Sequence, residues 1–186
     1  MAALTPYLFT PEAHSHLVPY LAALQGSCIT HDRTISNFLP PLNHEKLLSY
    51  WKEKIAEVGA GTRVILILLE ESVPGSKAKG TELKGVVMLS IPATETGPFR
   101  GNVESLLISP KLRQQGAARL LIETLHIHAV QRGKTLMMAD TESGSASEEV
   151  FKKFGYTEVG RIPRYSLSPS GELKDATFFY KDLSLA

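Results

Sequence analysis

The residues with the clearest chemical potential lie in one turn, Arg113-Gln114-Gln115-Gly116-Ala117-Ala118-Arg119. It follows an apolar run, Val103 to Ile108, and precedes apolar residues at helical spacing: Ala118, Leu121, Ile122, Leu125 and Ala129. The first N–H groups of a helix have no internal acceptor, and the aligned peptide dipoles put partial positive charge there. Small side chains let a phosphate approach that backbone closely, so Gln115 to Ala118 read as an anion cradle to which Arg113 and Arg119 add full charges. An ordinary strand-to-helix connection has the same composition. No Gly-Lys-Ser/Thr follows the turn, and Gly116 is its only glycine, so it is neither a mononucleotide P-loop nor a G-x-G-x-x-G turn. Histidines offer no competing chemistry. His126 and His128, like His14 and His16, sit two apart in helical stretches and point to different sides, and no Cys or carboxylate pattern completes a metal site.

The elements that must position this turn follow from periodicity and punctuation. Leu4 to Phe9 is a short first strand interrupted by Pro6, and Thr10-Pro11-Glu12 starts a helix that Pro19 weakens or kinks. Residues Gly26 to Pro41 read as irregular. Asn43 caps a second helix with Leu47, Leu48, Trp51 and Ile55 on one side, stopped by Gly59 and Gly61. Thr62 to Leu69 and Leu83 to Ile91 are strands joined by an exposed loop, and a Pro/Gly-rich loop, Pro92 to Gly101, leads into Val103–Ile108. After the cradle helix come a strand, Thr135 to Asp140, and a helix whose Ser145 and Glu148 have capping-box spacing and whose stop is Gly155. Tyr156 to Arg161 and Thr177 to Asp182 close the chain as an antiparallel pair. The fold class is α/β: a mixed sheet of six to seven strands with helices on both faces.

The chain has 186 residues, which suits a single domain over 1–186. A formal net charge of +1 gives no electrostatic case for nucleic acid or an anionic membrane surface. The single cysteine, Cys28, excludes an internal disulfide framework and reads as a small core residue. No apolar run approaches the ~20 residues of a membrane span, and no leader pattern precedes the first strand. The expected setting is the cytoplasm, as a monomer or homodimer.

The cradle resembles the acyl-CoA pyrophosphate loop of the GCN5-related N-acetyltransferase (GNAT) superfamily, Gln/Arg-x-x-Gly-x-Gly/Ala, with Arg113, Gly116 and Ala118 in its defined positions. The order of elements is similar to that family across essentially the whole chain. A second family motif, Asn-x-x-Ala followed by Tyr-x-x-x-Gly-Phe, corresponds to Gly144-x-x-Ser147 and Phe151-Lys152-Lys153-Phe154-Gly155-Tyr156, so its tyrosine is replaced by Phe151. The stretch from Asp140 to Ser145 and the tail from Val159 to Leu183 look like the tabtoxin-resistance acetyltransferases, which acetylate a small amino-acid-like toxin.

The resemblance implies acetyl-CoA as cosubstrate, no metal, a small-molecule amine as acceptor and direct attack in a ternary complex. A protein or peptide acceptor, or a CoA-binding regulator with weak catalysis, are the alternatives. It implies that Arg113, Gln114, Gln115, Gly116, Ala117, Ala118 and Arg119 hold the pyrophosphate. Pantetheine is then expected to lie like an extra strand against Leu106, Leu107 and Ile108. In this fold the central strand splays from Thr135–Asp140, opening a slot for the thioester. The candidate bases are Glu104, placed by alternation on the same side as Leu106 and Ile108, and Asp140, at the end of the neighbouring strand. Asn102 stands where the family often has an acid, and Phe151 has no proton for the leaving thiolate. The acceptor pocket is expected from the Gly26–Pro41 and Pro92–Gly101 loops, with Tyr165 at its border.

Overall fold

The run Arg63-Val-Ile-Leu-Ile-Leu-Leu is apolar after its first residue because it is covered on both faces. Val64, Leu66 and Leu68 enter one core, and Ile65, Ile67 and Leu69 enter another. It is the second strand of a computed structural model that describes residues 3–71, 76–112 and 114–185. The strands are β1 (Ala3–Leu8), β2 (Arg63–Glu71), β3 (Leu83–Ser90), β4 (Arg100–Ile108), β5 (Leu136–Glu142), β6 (Thr157–Leu167) and β7 (Leu173–Asp182). They form one sheet in the order β1-β2-β3-β4-β5-β7-β6. Every neighbouring pair is antiparallel except β4 and β5, which are parallel and joined by a crossover through the helix at Ala117–Gln131.

The helices are α1 (Pro11–His14), α2 (Val18–Asp32), α3 (His44–Gly59), α4 (Ala117–Gln131) and α5 (Ala146–Lys153). Leu121, Ile122, Leu125 and Ala129 of α4 and Phe151 of α5 pack on one sheet face. Leu21, Leu24 and Cys28 of α2 and Leu47 and Trp51 of α3 pack on the other. The buried Trp51 indole donates to Gln25 Oε1 at 2.9 Å, and Gln25 donates to Ser36 Oγ at 2.8 Å, so the polar groups in this core are paired. No helix among the described residues is long and apolar enough to cross a membrane.

Local capping follows the expected chemistry. The Asn43 side chain accepts from the Lys46 N–H at 3.0 Å, and Ser145 Oγ accepts from the Glu148 N–H at 3.3 Å. Glu148 turns back to accept from the Gly144 N–H and is neutralised by Lys152 at 2.6 Å and Arg161 at 2.9 Å. These partners hold its buried carboxyl below the usual carboxylate range. One expectation holds and one is corrected. The helix begun at Pro11 is interrupted ahead of Pro19, as expected: α1 ends at His14, a 3₁₀ turn follows at Ser15–Leu17, and Pro19 sits in the first turn of α2, where no intrahelical N–H is needed. The supposed irregular stretch from Gly26 is helical as far as Asp32, with Gly26 packed beneath Leu42 and Leu47.

One buried polar pair joins α4 to the start of β6: His126 Nε2 and the Tyr156 hydroxyl lie 2.8 Å apart. Burial, then the nearby Lys181 cation, pushes the imidazole down to about 4, and burial raises the phenol so that it stays protonated. A depressed histidine makes the unfolded chain bind more protons between about pH 6.5 and 4, so stability is complete above that window and declines as pH falls through it. The decline amounts to at most about 3 kcal/mol. Urea denaturation of His126→Gln across this window should show a flatter pH dependence than wild type. Equal slopes would remove His126 from the account.

Candidate active site

β4 and β5 pair in parallel only from Arg100↔Leu136 to Val103↔Ala139, although β4 continues to Ile108 and β5 to Glu142. Past that point the two strands part. The local cause is a bulge in β4, where Val87 of β3 faces both Ser105 and Leu106, between the pairs Met88↔Glu104 and Val86↔Leu107. Ser105 takes a left-handed φ of 52°. A bulge bends its strand, and here it turns the end of β4 away from β5. The Ser109 N–H bonds the Lys84 carbonyl of β3 at 2.7 Å, so by alternation the polar groups of Ile108 face the open edge. That edge is where an added strand-like ligand would find backbone partners.

The bulge also overturns the alternation expected for β4. Val103 lies in the core on the α4 side, whereas Leu107 lies in the core beneath α2 and α3. Leu106 and Ile108 pack toward the α4 side. Glu104, opposite Met88, therefore shares its face with Leu107, not with Leu106 and Ile108 as uninterrupted alternation predicts. One inserted residue moves the carboxylate and the apolar pair to opposite faces.

At the open end of the gap the chain rises from β4 through a 3₁₀ turn, Pro110–Leu112, to the cradle. Gln114 and Gly116 both take left-handed backbone, φ 59° and 79°, and Gln114, Gln115 and Gly116 are exposed. Gly116 caps α4 without any side chain, so the first-turn N–H groups are not capped from within. A Cβ at Gly116 would meet no atom within 4 Å: it would enter the open space in front of those donors. Ala117 is buried and anchors the turn, and Ala118 is half-buried beside it. Arg119 is exposed and pairs with Glu123 at 2.8 Å, an exposed i,i+4 contact weak enough to exchange for an anion. Arg113 lies outside the described residues.

The carboxylates approach from the opposite face. Ala139 is in the α4-side core, so Asp140 faces the α2/α3 side with Glu104. Desolvation by the surrounding protein, followed by the negative charge of Glu104, raises the Asp140 carboxyl above the usual range although the residue is exposed by area. Glu104 is held differently: its Oε2 accepts from Arg63 Nη1 at 2.7 Å. Asp140 is paired across the ladder with Phe178, whose ring meets Tyr165 edge-on at a centroid distance of 5.2 Å. Tyr165 thus packs on the residue that lies across the ladder from Asp140.

The walls of this side differ from expectation. A cleft of about 440 Å³ lies at the gap's end of the sheet, lined by Ile29, Thr30 and Arg33 of the α2 end, Pro40 to Leu42, and the β6–β7 turn at Pro169 and Ser170. The Pro92–Gly101 loop joins β3 to the start of β4, at the far end of the sheet, and cannot line the gap. A smaller depression of about 310 Å³, floored by Phe9, Val64 and Ile91, also lies at that far end. Phe151 is a core residue, 3% exposed, with its ring 5.1 Å from Tyr156 and 5.8 Å from Phe179. Cys28 is likewise buried, its Sγ 3.6 Å from the Ile108 carbonyl. Among the described residues no group of three or more His, Cys, Asp or Glu side chains could hold a metal.

The model of the acetyltransferase (GNAT) family matches residues 43–156, more than half of the chain. The chain belongs to the acetyltransferase (GNAT) family. It is an acyltransferase of the GNAT fold. The yncA protein of Salmonella typhimurium, assigned as an acetyltransferase and solved with acetyl-CoA, is 18% identical, with 97% of this chain and 94% of that one covered at a TM-score of 0.72. A structure assigned as a phosphinothricin N-acetyltransferase is 17% identical, with 97% and 99% covered at 0.76. RimL, a ribosomal L7/L12 alpha-N-protein acetyltransferase solved with coenzyme A, is 16% identical, with 100% and 98% covered at 0.76. At such identities these likenesses establish the fold. The family match spans α3 to Tyr156, so it holds the cradle and both carboxylates of this GNAT protein, while α2, Tyr165 and Phe178 lie outside it.

Arg63 is the site residue that sequence reasoning missed. A visible signal existed, since a single cation stands directly before the apolar run Val64 to Leu69, and a buried guanidinium requires carboxylate partners.

Proposed function

We propose that this chain is an acetyl-CoA-dependent N-acetyltransferase that acetylates the amine of a small molecule. The amino-acid-like toxins or metabolites suggested by its tail motif are the favoured class. One observation carries the reading: the β4–β5 gap connects a helix N-terminus on one face of the sheet with two carboxylates on the other. Cosubstrate and amine then enter from opposite faces and meet where the strands part. The cleft of about 440 Å³ at the gap's end of the sheet has the size of a small-ligand site and supports a small acceptor over a polypeptide.

In this mechanism the N–H groups of Gln115 to Ala118 bind the pyrophosphate of acetyl-CoA, with Arg113 and Arg119 adding charge. The Leu106–Ile108 edge orients the pantetheine arm through backbone groups. Asp140, its affinity for protons raised by desolvation, takes the proton from the incoming ammonium so that the nitrogen lone pair can attack the thioester carbon. The carbon–sulfur bond then breaks, the thiolate departs and takes up the second proton that the nitrogen sheds as the amide forms; a thiol of pKa about 8.5 is a tolerable leaving group near neutral pH without an acid at Phe151. Positioning of both reactants supplies much of the acceleration.

Release of free thiol from acetyl-CoA across a panel of amino acids, amino-acid analogues, polyamines and short peptides tests the reading. Turnover should concentrate on amino-acid-like amines. Release only with peptides would assign a protein acceptor. Tight acetyl-CoA binding without release on any amine would assign a regulator.

A further inference from the structure

Arg63 opens β2 with its side chain 5% exposed, on the same face as Glu104. Its Nε donates to Glu57 Oε2 of α3 at 2.5 Å, and its Nη1 donates to Glu104 Oε2 at 2.7 Å and lies 3.7 Å from Met88 Sδ. Glu57 in turn accepts from Lys54 Nζ at 2.6 Å, and Lys54 also reaches the exposed Glu53 at 3.2 Å. Along the line Lys54, Glu57, Arg63, Glu104 the charges alternate and cancel. A buried guanidinium has no acceptor capacity and five donors in a rigid fork, so it is satisfied only by holding both carboxylates. Around the two carboxylates on this side stand Lys54 and Glu57 from α3 and Arg63 from β2, linked in line to Glu104, with Met88 opposite Glu104, Phe178 across the ladder from Asp140 and Tyr165 against Phe178. Asp140 is the carboxylate among them that remains outside the cancelled line.

We infer that Arg63 is a positioning residue that decides which acid accepts the proton. By pinning Glu104 in an ion pair, it leaves Asp140 as the carboxylate free to serve the amine. This rests on the proposed transferase reading. An acid whose lone pair is already occupied by a guanidinium is a poor base, so two adjacent carboxylates acquire different tasks from one cation two strands away. Arg63 also offsets the negative charge of Glu104, which would otherwise act on Asp140 in full.

The test is kcat/KM against pH for Arg63→Met, Arg63→Lys, Glu104→Gln and Asp140→Asn, with acetyl-CoA and the best amine of the panel. Melting temperature and acetyl-CoA affinity serve as controls. Removing the cation should move the acidic limb to higher pH, and removing the Glu104 charge should move it to lower pH, each by about half a unit or more. Arg63→Lys keeps the charge but cannot span both carboxylates, so its limb should stay near wild type while its turnover falls. Should Arg63→Met fail to fold, the Glu104→Gln and Arg63→Lys profiles still decide the matter. Limbs that coincide in all folded variants, or that move in one direction together, overturn the inference while leaving the transferase reading intact. Full turnover in Asp140→Asn overturns the role of Asp140 itself, and the inference with it.

Discussion

Gly116→Leu is expected to lower acetyl-CoA affinity by about 100-fold or more, equivalent to about 2.7 kcal/mol, while leaving the protein folded. Two effects add at this residue. A leucine side chain would stand in front of the first-turn N–H groups of α4, where a Cβ meets nothing of the protein but would meet a bound pyrophosphate. The φ of 79° adds backbone strain on the order of 1–3 kcal/mol for a branched residue. Gly116→Asn separates these, because asparagine tolerates the left-handed region but still places atoms in the cradle. Titration calorimetry on both variants should show loss of affinity in each, with the larger fall in melting temperature for leucine. Unchanged affinity in Gly116→Leu would show that the pyrophosphate is held elsewhere.

Asp140→Asn should lower turnover by about 10²–10⁴-fold, the usual worth of a positioned proton acceptor, with acetyl-CoA affinity preserved. The sign of its pH dependence follows from the raised carboxyl: wild-type activity falls with acid as Asp140 takes up its proton, beginning at a higher pH than for an ordinary aspartate. The asparagine variant should lose that limb and recover part of its rate at high pH, where more amine is already neutral. Glu104→Gln should retain more turnover than Asp140→Asn. The reverse ranking in steady-state assays would hand the proton to Glu104.

Much of this molecule was legible because its signals are local. Asn43 and Ser145 announce helix starts through their own side chains, and Gly155 stops α5 with a φ of 73°. The residues that escaped depend on partners far along the chain. Nothing in the sequence of β4 marks Ser105 as a bulge, because the bulge is defined by how β3 pairs with it. The face of Glu104 and the company of Leu106 and Ile108 turned on that single residue. Arg63 and Glu104 are 41 positions apart and meet only when β2, β3 and β4 align. The acceptor side was hardest to read for a related reason. The end of α2, Pro40 to Leu42 and the β6–β7 turn are brought together from three distant segments, and each is unremarkable alone.

The short β4–β5 ladder has a mechanical consequence. Four residue pairs join β4 to β5, whereas seven join β5 to β7, so the sheet consists of two antiparallel ribbons stitched along a brief seam. A cosubstrate arm lying against Ile108 would lengthen that seam with hydrogen bonds the chain cannot supply itself. Occupancy then works as a mend: it stiffens the joint between the ribbons and leaves the two cores as they were. Its imprint belongs in the slowed amide exchange of the strand ends flanking the gap.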